Sequence, residues 1–436
     1  MLYNRNDYMP VSSGISVDNN LEIGGCDLAK LAAQYGTPLY IMDEDTLREN
    51  CRNYILSFTE NYPDSTVAYA SKALAVAGVF NIITEEGLGV DVVSGGELYI
   101  ALKAGVNPEK IIFHGNNKTP QELQEALAAD VGLIAIDNLQ ELQNLEELAG
   151  QLHKKASILI RVMPGIEAHT HDFVKTGGFD SKFGIHIEQI CNFIEEVKRC
   201  RNIDFAGLHA HIGSQILETS PFSFLADRMA ELIEKIQKKN HLGIKILNLG
   251  GGLGVAYLAK DDPPSIPDYA RAVCQELKYS LSKRKLPLPK LIVEPGRSIV
   301  ARAGVTLYTI GAVKENKNIR KYLLVDGGMS DNPRPMLYGA KYSADIVNKM
   351  TGRKTEMVTI AGKSCESGDT LIKDIHLPPA QAGDLLVVYG TGAYNYAMAS
   401  NYNQNLRPAM VLASGGKSRL LVQRETYADL IKNQEL

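Results

Sequence analysis

From Ser65 onward, short apolar runs rich in β-branched residues alternate with stretches of helical period. The apolar runs are 66–71, 89–93, 110–114, 132–137, 157–162, 205–210, 244–249 and 291–294. Their length suits buried strands, whereas the stretches between them repeat apolar positions every three to four residues. Local signals punctuate the pattern. Gly87 stops a helix predicted over Ala73–Glu86. Ser94 and Glu97 have capping-box spacing, and Thr119-Pro120-Gln121-Glu122 joins a cap to a first-turn proline. Helical pattern also fills 139–152 and follows Ser220-Pro221. Eight strand–helix repeats predict a closed parallel (β/α)8 barrel of the TIM type in preference to a doubly wound sheet. A Gly-, His- and Thr-rich stretch, 163–182, interrupts the repeat, and loops of that length are usually functional.

After about Ala303 the texture changes. Runs at 305–313, 322–326, 357–361, 384–389, 410–413 and 419–423 are separated by turns with little helical pattern, which predicts an antiparallel β-domain. Earlier runs at 21–25 and 37–41, around a helix at 27–35, precede the repeat and are assigned to that domain. The expected organisation is an N-terminal segment 1–44 joining the β-domain, a barrel over 45–303, and the β-domain over 304–436. A formal charge of −4 without basic runs argues against nucleic acid as a partner. No apolar run reaches membrane-spanning length, and the polar N-terminus lacks a signal-peptide core. Six cysteines without CxxC spacing indicate neither a disulfide framework nor a zinc site, and suit a reducing cytoplasm.

Chemistry-bearing residues gather at one end of the repeat. Lys72, Asp91, His114, Asp137, Arg161, His211, the run Gly250-Gly251-Gly252 and Glu294 lie at or near the carboxyl ends of their strands, the face where such barrels hold their active sites. A lysine there either snorkels to solvent or forms a Schiff base. The glycine run, with Ser214 one loop earlier, is either a tight turn or a phosphate cradle. Glu294 can be a metal ligand, a base, or the partner of a protonated ring nitrogen. No His/Asp/Glu set has ligand spacing, so no metal is expected. His209 and His211, two apart, are expected on one side of their strand, facing a cofactor. Lysine, cradle, histidine and carboxylate together meet the needs of pyridoxal 5'-phosphate. In the β-domain, Cys365 lies beside Glu366 in a Gly/Ser-rich loop, either as a small buried hydrophobe or as a proton donor. Tyr394 sits in a second loop, and Arg334 offers a guanidinium suited to a carboxylate.

Seven segments in order carry a family resemblance: Tyr69–Lys72, Asp91–Leu98, His114–Lys118, Ser181–Gly184, His209–Gln215, Glu294–Arg297 and Cys365–Asp369. The chain, from about Leu21 to its end, resembles the diaminopimelate decarboxylases, of the alanine-racemase-like fold type of pyridoxal-phosphate enzymes. It departs from their pattern at Gly177–Asp180 and at Pro333. The resemblance implies a cytoplasmic homodimer that converts meso-2,6-diaminopimelate to L-lysine and carbon dioxide. It implies that Lys72 forms the Schiff base, His211 stacks on the ring and Glu294 pairs with the ring nitrogen. It implies cofactor contacts by Asp91, Ser214, Gly251, Gly252, Gly296, Arg297 and Tyr394. Arg297, Arg334, Tyr338, Tyr394 and Glu366 would bind substrate. Cys365 and Glu366 would reach the site from the partner subunit, with Cys365 or Lys72 protonating the product carbon. Decarboxylation of ornithine or arginine, racemisation, and cofactor binding without turnover are the alternatives.

Overall fold

The computed structural model describes residues 7–166 and 181–435, so most of the 163–182 stretch, including Gly177–Asp180, lies outside the described residues. Two compact units form. One comprises Asn50–Gly254 and Pro263–Ser298; the other comprises Met1–Glu49, Val255–Asp262 and Ile299–Leu436. The short Val255–Asp262 excursion follows the glycine-rich turn and had no signal in the apolar pattern.

The first unit is the barrel. Its strands are β1 Ser65–Ala70, β2 Gly89–Val92, β3 Ile111–Phe113, β4 Leu133–Ile136, β5 Ala156–Met163, β6 Ile203–Ala210, β7 Ile246–Asn248 and β8 Lys290–Val293. All pair in parallel in chain order, and β8 returns to β1 through pairs such as Val293 with Val67. Closure leaves β1 and β8 adjacent. Ala68, Ile112 and Ile292 pack together inside, with Leu133 and Ile246 against them, because alternate side chains of a strand share one face. The outer helices bury a single stripe. In Ser220–Asn240, Phe222, Leu225, Ala226, Met229, Ile233 and Ile236 are buried at spacings of three and four.

Two local expectations are corrected. The helix expected from Ala73 begins at Ala77, and Lys72 instead sits on a single 3-10 turn, Ser71–Ala73. The Tyr69 hydroxyl donates to Leu74 O at 3.1 Å and holds the intervening chain off a helical path. At the next helix Ser94 caps the Glu97 N–H, but Glu97 does not complete the box. Its carboxylate accepts from the Ser71 hydroxyl at 2.6 Å and the Val93 N–H at 2.8 Å, a tertiary link across strand ends. The Thr119–Glu122 box forms in full.

The second unit is built on a mostly antiparallel sheet in the order 370–377, 356–361, 320–325, 304–316, 39–43, 409–414 and 417–422, with 385–389 joined to 304–316 and 344–346 joined in turn to 385–389. Two pairings are parallel: 320–325 with 356–361, and 409–414 with 39–43. Strand 304–316 separates two cores. Val305 and Leu307 face one with Ile41 and Val411; Tyr308 and Ile310 face the other with Leu323 and Ile360. Residues 21–23 belong to a small three-stranded sheet with 14–15 and 26–27. Thr370–Leu377 is a strand that the apolar pattern missed, since charges at Lys373 and Asp374 interrupt its alternation.

Candidate active site

Each barrel strand delivers its last residues to one face. Register places Ala70 opposite Asp91, and His209 opposite both Arg161 and Asn248. The loops beyond β7 and β8 pack backbone on backbone. A Cβ at Gly251 would lie 2.1 Å from Glu294 O, and Gly252 has φ +124°, so both positions require glycine.

Glu294 is the hub. Only 5% exposed, it accepts at Oε1 from Asn248 Nδ2 at 2.5 Å and meets His114 Nε2 at 2.7 Å. His209 Nε2 lies 3.3 Å from Oε2, poorly aligned for a hydrogen bond. Burial opposes ionisation of Glu294, but His114 above all outweighs it and holds the carboxyl well below its usual range. Glu294 is therefore an anion at neutral pH. Burial pushes His209 down to about 3 against the pull of Glu294, so its ring is neutral. One ligand atom each of His114, His209 and Glu294 lies within a 4.8 Å group, yet the 2.7 Å His114–Glu294 contact is a hydrogen bond rather than the separation of two ligands about a metal.

Asp91 completes the acidic side. Burial raises it to about 6; His114 and Lys72 oppose the rise and Glu294 adds to it. His114 Nε2 is 4.0 Å from Asp91 Oδ1, and that buried oxygen has no hydrogen-bond partner among the described residues. Lys72 is exposed, and its charge acts on both Asp91 and His211. His211 is half-buried, and its ring is held well below the usual imidazole value by burial, then by Lys72 and Arg161. Ser214 accepts from Arg297 Nε at 3.2 Å and from its Nη2 at 3.0 Å.

The other lysine of this face has a different task. Lys118 is 5% exposed, donates to Gly115 O at 2.9 Å and Ala135 O at 2.7 Å, and pairs with Glu141 at 2.5 Å. Its nitrogen is committed to structure. Asp137 likewise accepts the Gly184 N–H at 3.0 Å and faces Arg161 at 3.8 Å, while Arg161 stacks on Phe183.

The barrel unit thus brings together Lys72, Asp91, His211, Ser214, Gly251, Gly252, Glu294, Gly296 and Arg297. The other expected residues belong to the second unit. There the buried Arg334 guanidinium lies over the rings of Tyr338 and Tyr394, 5.3 and 5.5 Å from their centroids. Arg334 Nε is buried with no hydrogen-bond partner among the described residues. Tyr394 has φ +60°, a conformation a non-glycine residue adopts at some cost and often at functional positions. Cys365 is exposed and Glu366 half-buried on one loop. Sequence reasoning missed His114, His209 and Asn248 as the holders of Glu294. A usable signal was present: each is a polar residue at a strand end flanked by apolar ones.

The donor set fits pyridoxal phosphate. The orphaned Asp91 oxygen beside the Lys72 charge suits a site that works on an amine. The buried Glu294 anion suits a cationic ring nitrogen, and the Ser214–Arg297 pair beside a close-packed glycine turn suits a phosphate.

Comparison with known proteins agrees. Residues 47–301 match the family model described as pyridoxal-dependent decarboxylase, pyridoxal binding domain. The chain is 47% identical to a diaminopimelate decarboxylase of Synechocystis sp., over 97% of this chain and 92% of that one. It is 45% identical to the Bacillus subtilis enzyme of the same name, over 95% and 94% of the two chains. A crystal structure of diaminopimelate decarboxylase from M. jannaschii with L-lysine superposes with a TM-score of 0.92 at 36% identity, covering 98% of both chains. With its family-model match and these relatives, the chain belongs to the diaminopimelate decarboxylases, within the pyridoxal-dependent decarboxylase family.

Proposed function

We propose that this chain removes the carboxylate at the D-centre of meso-2,6-diaminopimelate, releasing carbon dioxide and L-lysine, the last step of lysine biosynthesis. The observation that carries the reading is the adjacency of β1 and β8: a strand-end lysine neighbours a strand ending in a buried, anionic Glu294. The lysine complex of the M. jannaschii relative supports the product.

Lys72 would hold pyridoxal phosphate by its aldehyde, Glu294 by the ring nitrogen, and His211 by the ring face. Ser214, Gly251, Gly252, Gly296, Arg297 and Tyr394 would hold the phosphate and its surroundings. Bound there, the cofactor supplies the electron sink that takes up the pair left when carbon dioxide departs. Glu294 keeps a negative charge at a fixed point, because His114 and Asn248 stabilise the anion and aim it. The Lys72 charge acts on the buried Asp91 carboxyl. Cys365 or Lys72 delivers one proton to the carbon that loses carbon dioxide. Arg334, between two tyrosine rings, binds the distal carboxylate together with Arg297, Tyr338 and Tyr394, and Glu366 reads the distal amine. A distal carboxylate is what separates this substrate from ornithine and arginine.

The working form is proposed to be a homodimer in which Cys365 and Glu366 serve the partner's barrel; their exposed loop supports this. Among the described residues no helix is long and apolar enough to cross a membrane. Six free cysteines accord with the cytoplasm. The test is direct. Purified protein with pyridoxal phosphate is given meso-diaminopimelate, and lysine is measured by chromatography against ornithine and arginine controls. Absence of lysine, with cofactor bound, overturns the proposal.

A further inference from the structure

Loop 362–369 carries Cys365 and Glu366, and turn 327–333 leads into Arg334. One buried carboxylate joins them. Asp369 is 4% exposed; its Oδ2 accepts the Ser364 N–H at 2.9 Å and its Oδ1 accepts the Met329 N–H at 2.7 Å. There is no room for a side chain on either flank. A Cβ at Gly328 would lie 2.4 Å from Oδ2, and one at Gly362 would lie 2.3 Å from it. Backbone bonds close the same junction: Lys363 donates to Gly327 O and Gly362 to Asp369 O, each at 3.0 Å.

Both segments are stiff beyond the junction. In the turn, Gly328 donates to Asp331 Oδ1 at 2.8 Å, and the Asp331 and Asn332 N–H groups both return to Gly328 O. The Tyr40 hydroxyl is bonded to Asp331 O, and Arg334 follows within three residues. In the loop, Cys365 N–H donates to Asn403 Oδ1 at 2.7 Å, and Glu366 Oε1 accepts the Gly368 N–H at 3.2 Å. A displacement at Asp369 therefore moves both segments rather than being absorbed by slack in either.

We propose that Asp369 is a positioning residue that fixes the Cys365–Glu366 loop against the turn opening the Arg334 helix, so that the placement of the thiol and loop carboxylate is tied to that of the guanidinium. The roles of those three groups rest on the function proposed above; the clamp itself does not depend on turnover. An amide cannot replace the carboxylate, because its NH2 would confront one of the two N–H donors.

The test is Asp369→Asn in the cofactor-loaded enzyme. Cys365 is the exposed thiol and four of the other five are buried, so iodoacetamide labelling followed by peptide mass spectrometry reads the loop. Loss of one charge-assisted bond should speed Cys365 labelling about tenfold and raise KM for meso-diaminopimelate about tenfold. The absorbance of the bound cofactor should not change, since its proposed anchors lie almost wholly in the barrel. Unchanged labelling with unchanged KM overturns the proposal. If the variant fails to fold, wild-type hydrogen exchange decides. The Ser364 and Met329 amides share one acceptor group and should exchange at a common protected rate. Rates differing by more than about tenfold, which is about 1.4 kcal/mol of opening free energy, overturn it. Should wild type yield no lysine while labelling and exchange behave as expected, the reaction assignment fails and the clamp stands.

Discussion

Asp91→Asn should make the cofactor-free protein more stable above pH 6 while slowing decarboxylation. Asp91 is 2% exposed, one of its oxygens lacks a hydrogen-bond partner among the described residues, and Glu294 adds a like charge nearby. Burial raises its pKa from 3.8 to about 6. The folded state thus holds the proton more tightly than the unfolded chain. Between pH 3.8 and about 6 the folded state binds more protons, so stability falls as pH rises through that window. The penalty is absent below the window and complete above it. Two pKa units correspond to about 3 kcal/mol. With about 2.1 cal/mol/K of unfolding entropy per residue over 436 residues, that is about 3 °C in melting temperature. Asparagine has nothing to ionise and keeps the volume. Scanning calorimetry of both proteins without cofactor, from pH 5 to 8, measures the gap, which should widen with pH in favour of the variant. Turnover of the loaded variant should fall, because the charge facing Lys72 is gone. A variant that melts below wild type at pH 8, or a gap independent of pH, refutes the reasoning.

Glu294→Gln keeps an oxygen for His114 and Asn248 but removes the charge they stabilise; lysine formation should fall about 10²–10³-fold and the melting temperature should drop at neutral pH. The two lysines of the barrel face should separate cleanly. Lys118→Met leaves Glu141 buried without its cation and should cost about 3–5 kcal/mol in urea melts. Lys72→Ala, at an exposed position, should alter cofactor-free stability by less than about 0.5 kcal/mol and abolish lysine formation. Arg334→Ala should raise KM for diaminopimelate by about 10–100-fold while leaving cofactor absorbance unchanged; unaltered KM would argue for a substrate without a distal carboxylate.

Legibility differed from residue to residue. The barrel could be read because its alternation is local: each strand's apolar run and each helix's stripe obey periods set by backbone geometry. The Thr119–Glu122 cap was legible for the same reason, since both partners lie within one turn. The Ser94–Glu97 box was only half formed, because Glu97 found a stronger engagement with the Ser71 hydroxyl from the preceding strand's end. No window of sequence contains both residues. Strand Thr370–Leu377 escaped for a related reason: its place was set by pairing with 356–361, not by its own pattern.

Sequence by itself determined the eightfold repeat and the collection of polar residues at strand ends, and through family resemblance the proposal that Lys72 and Glu294 work as a pair. Tertiary structure decided their electrostatics. That Glu294 is an anion follows from His114 and Asn248, which lie 180 and 46 residues away along the chain. That Lys118 is structural follows from the carbonyl oxygens that the folded barrel brings to its nitrogen. That Asp369 ties a loop to a turn 40 residues earlier follows from two glycines leaving room for it. Period and propensity act over a few residues, whereas charge and burial depend on what the folded chain brings within a few ångströms.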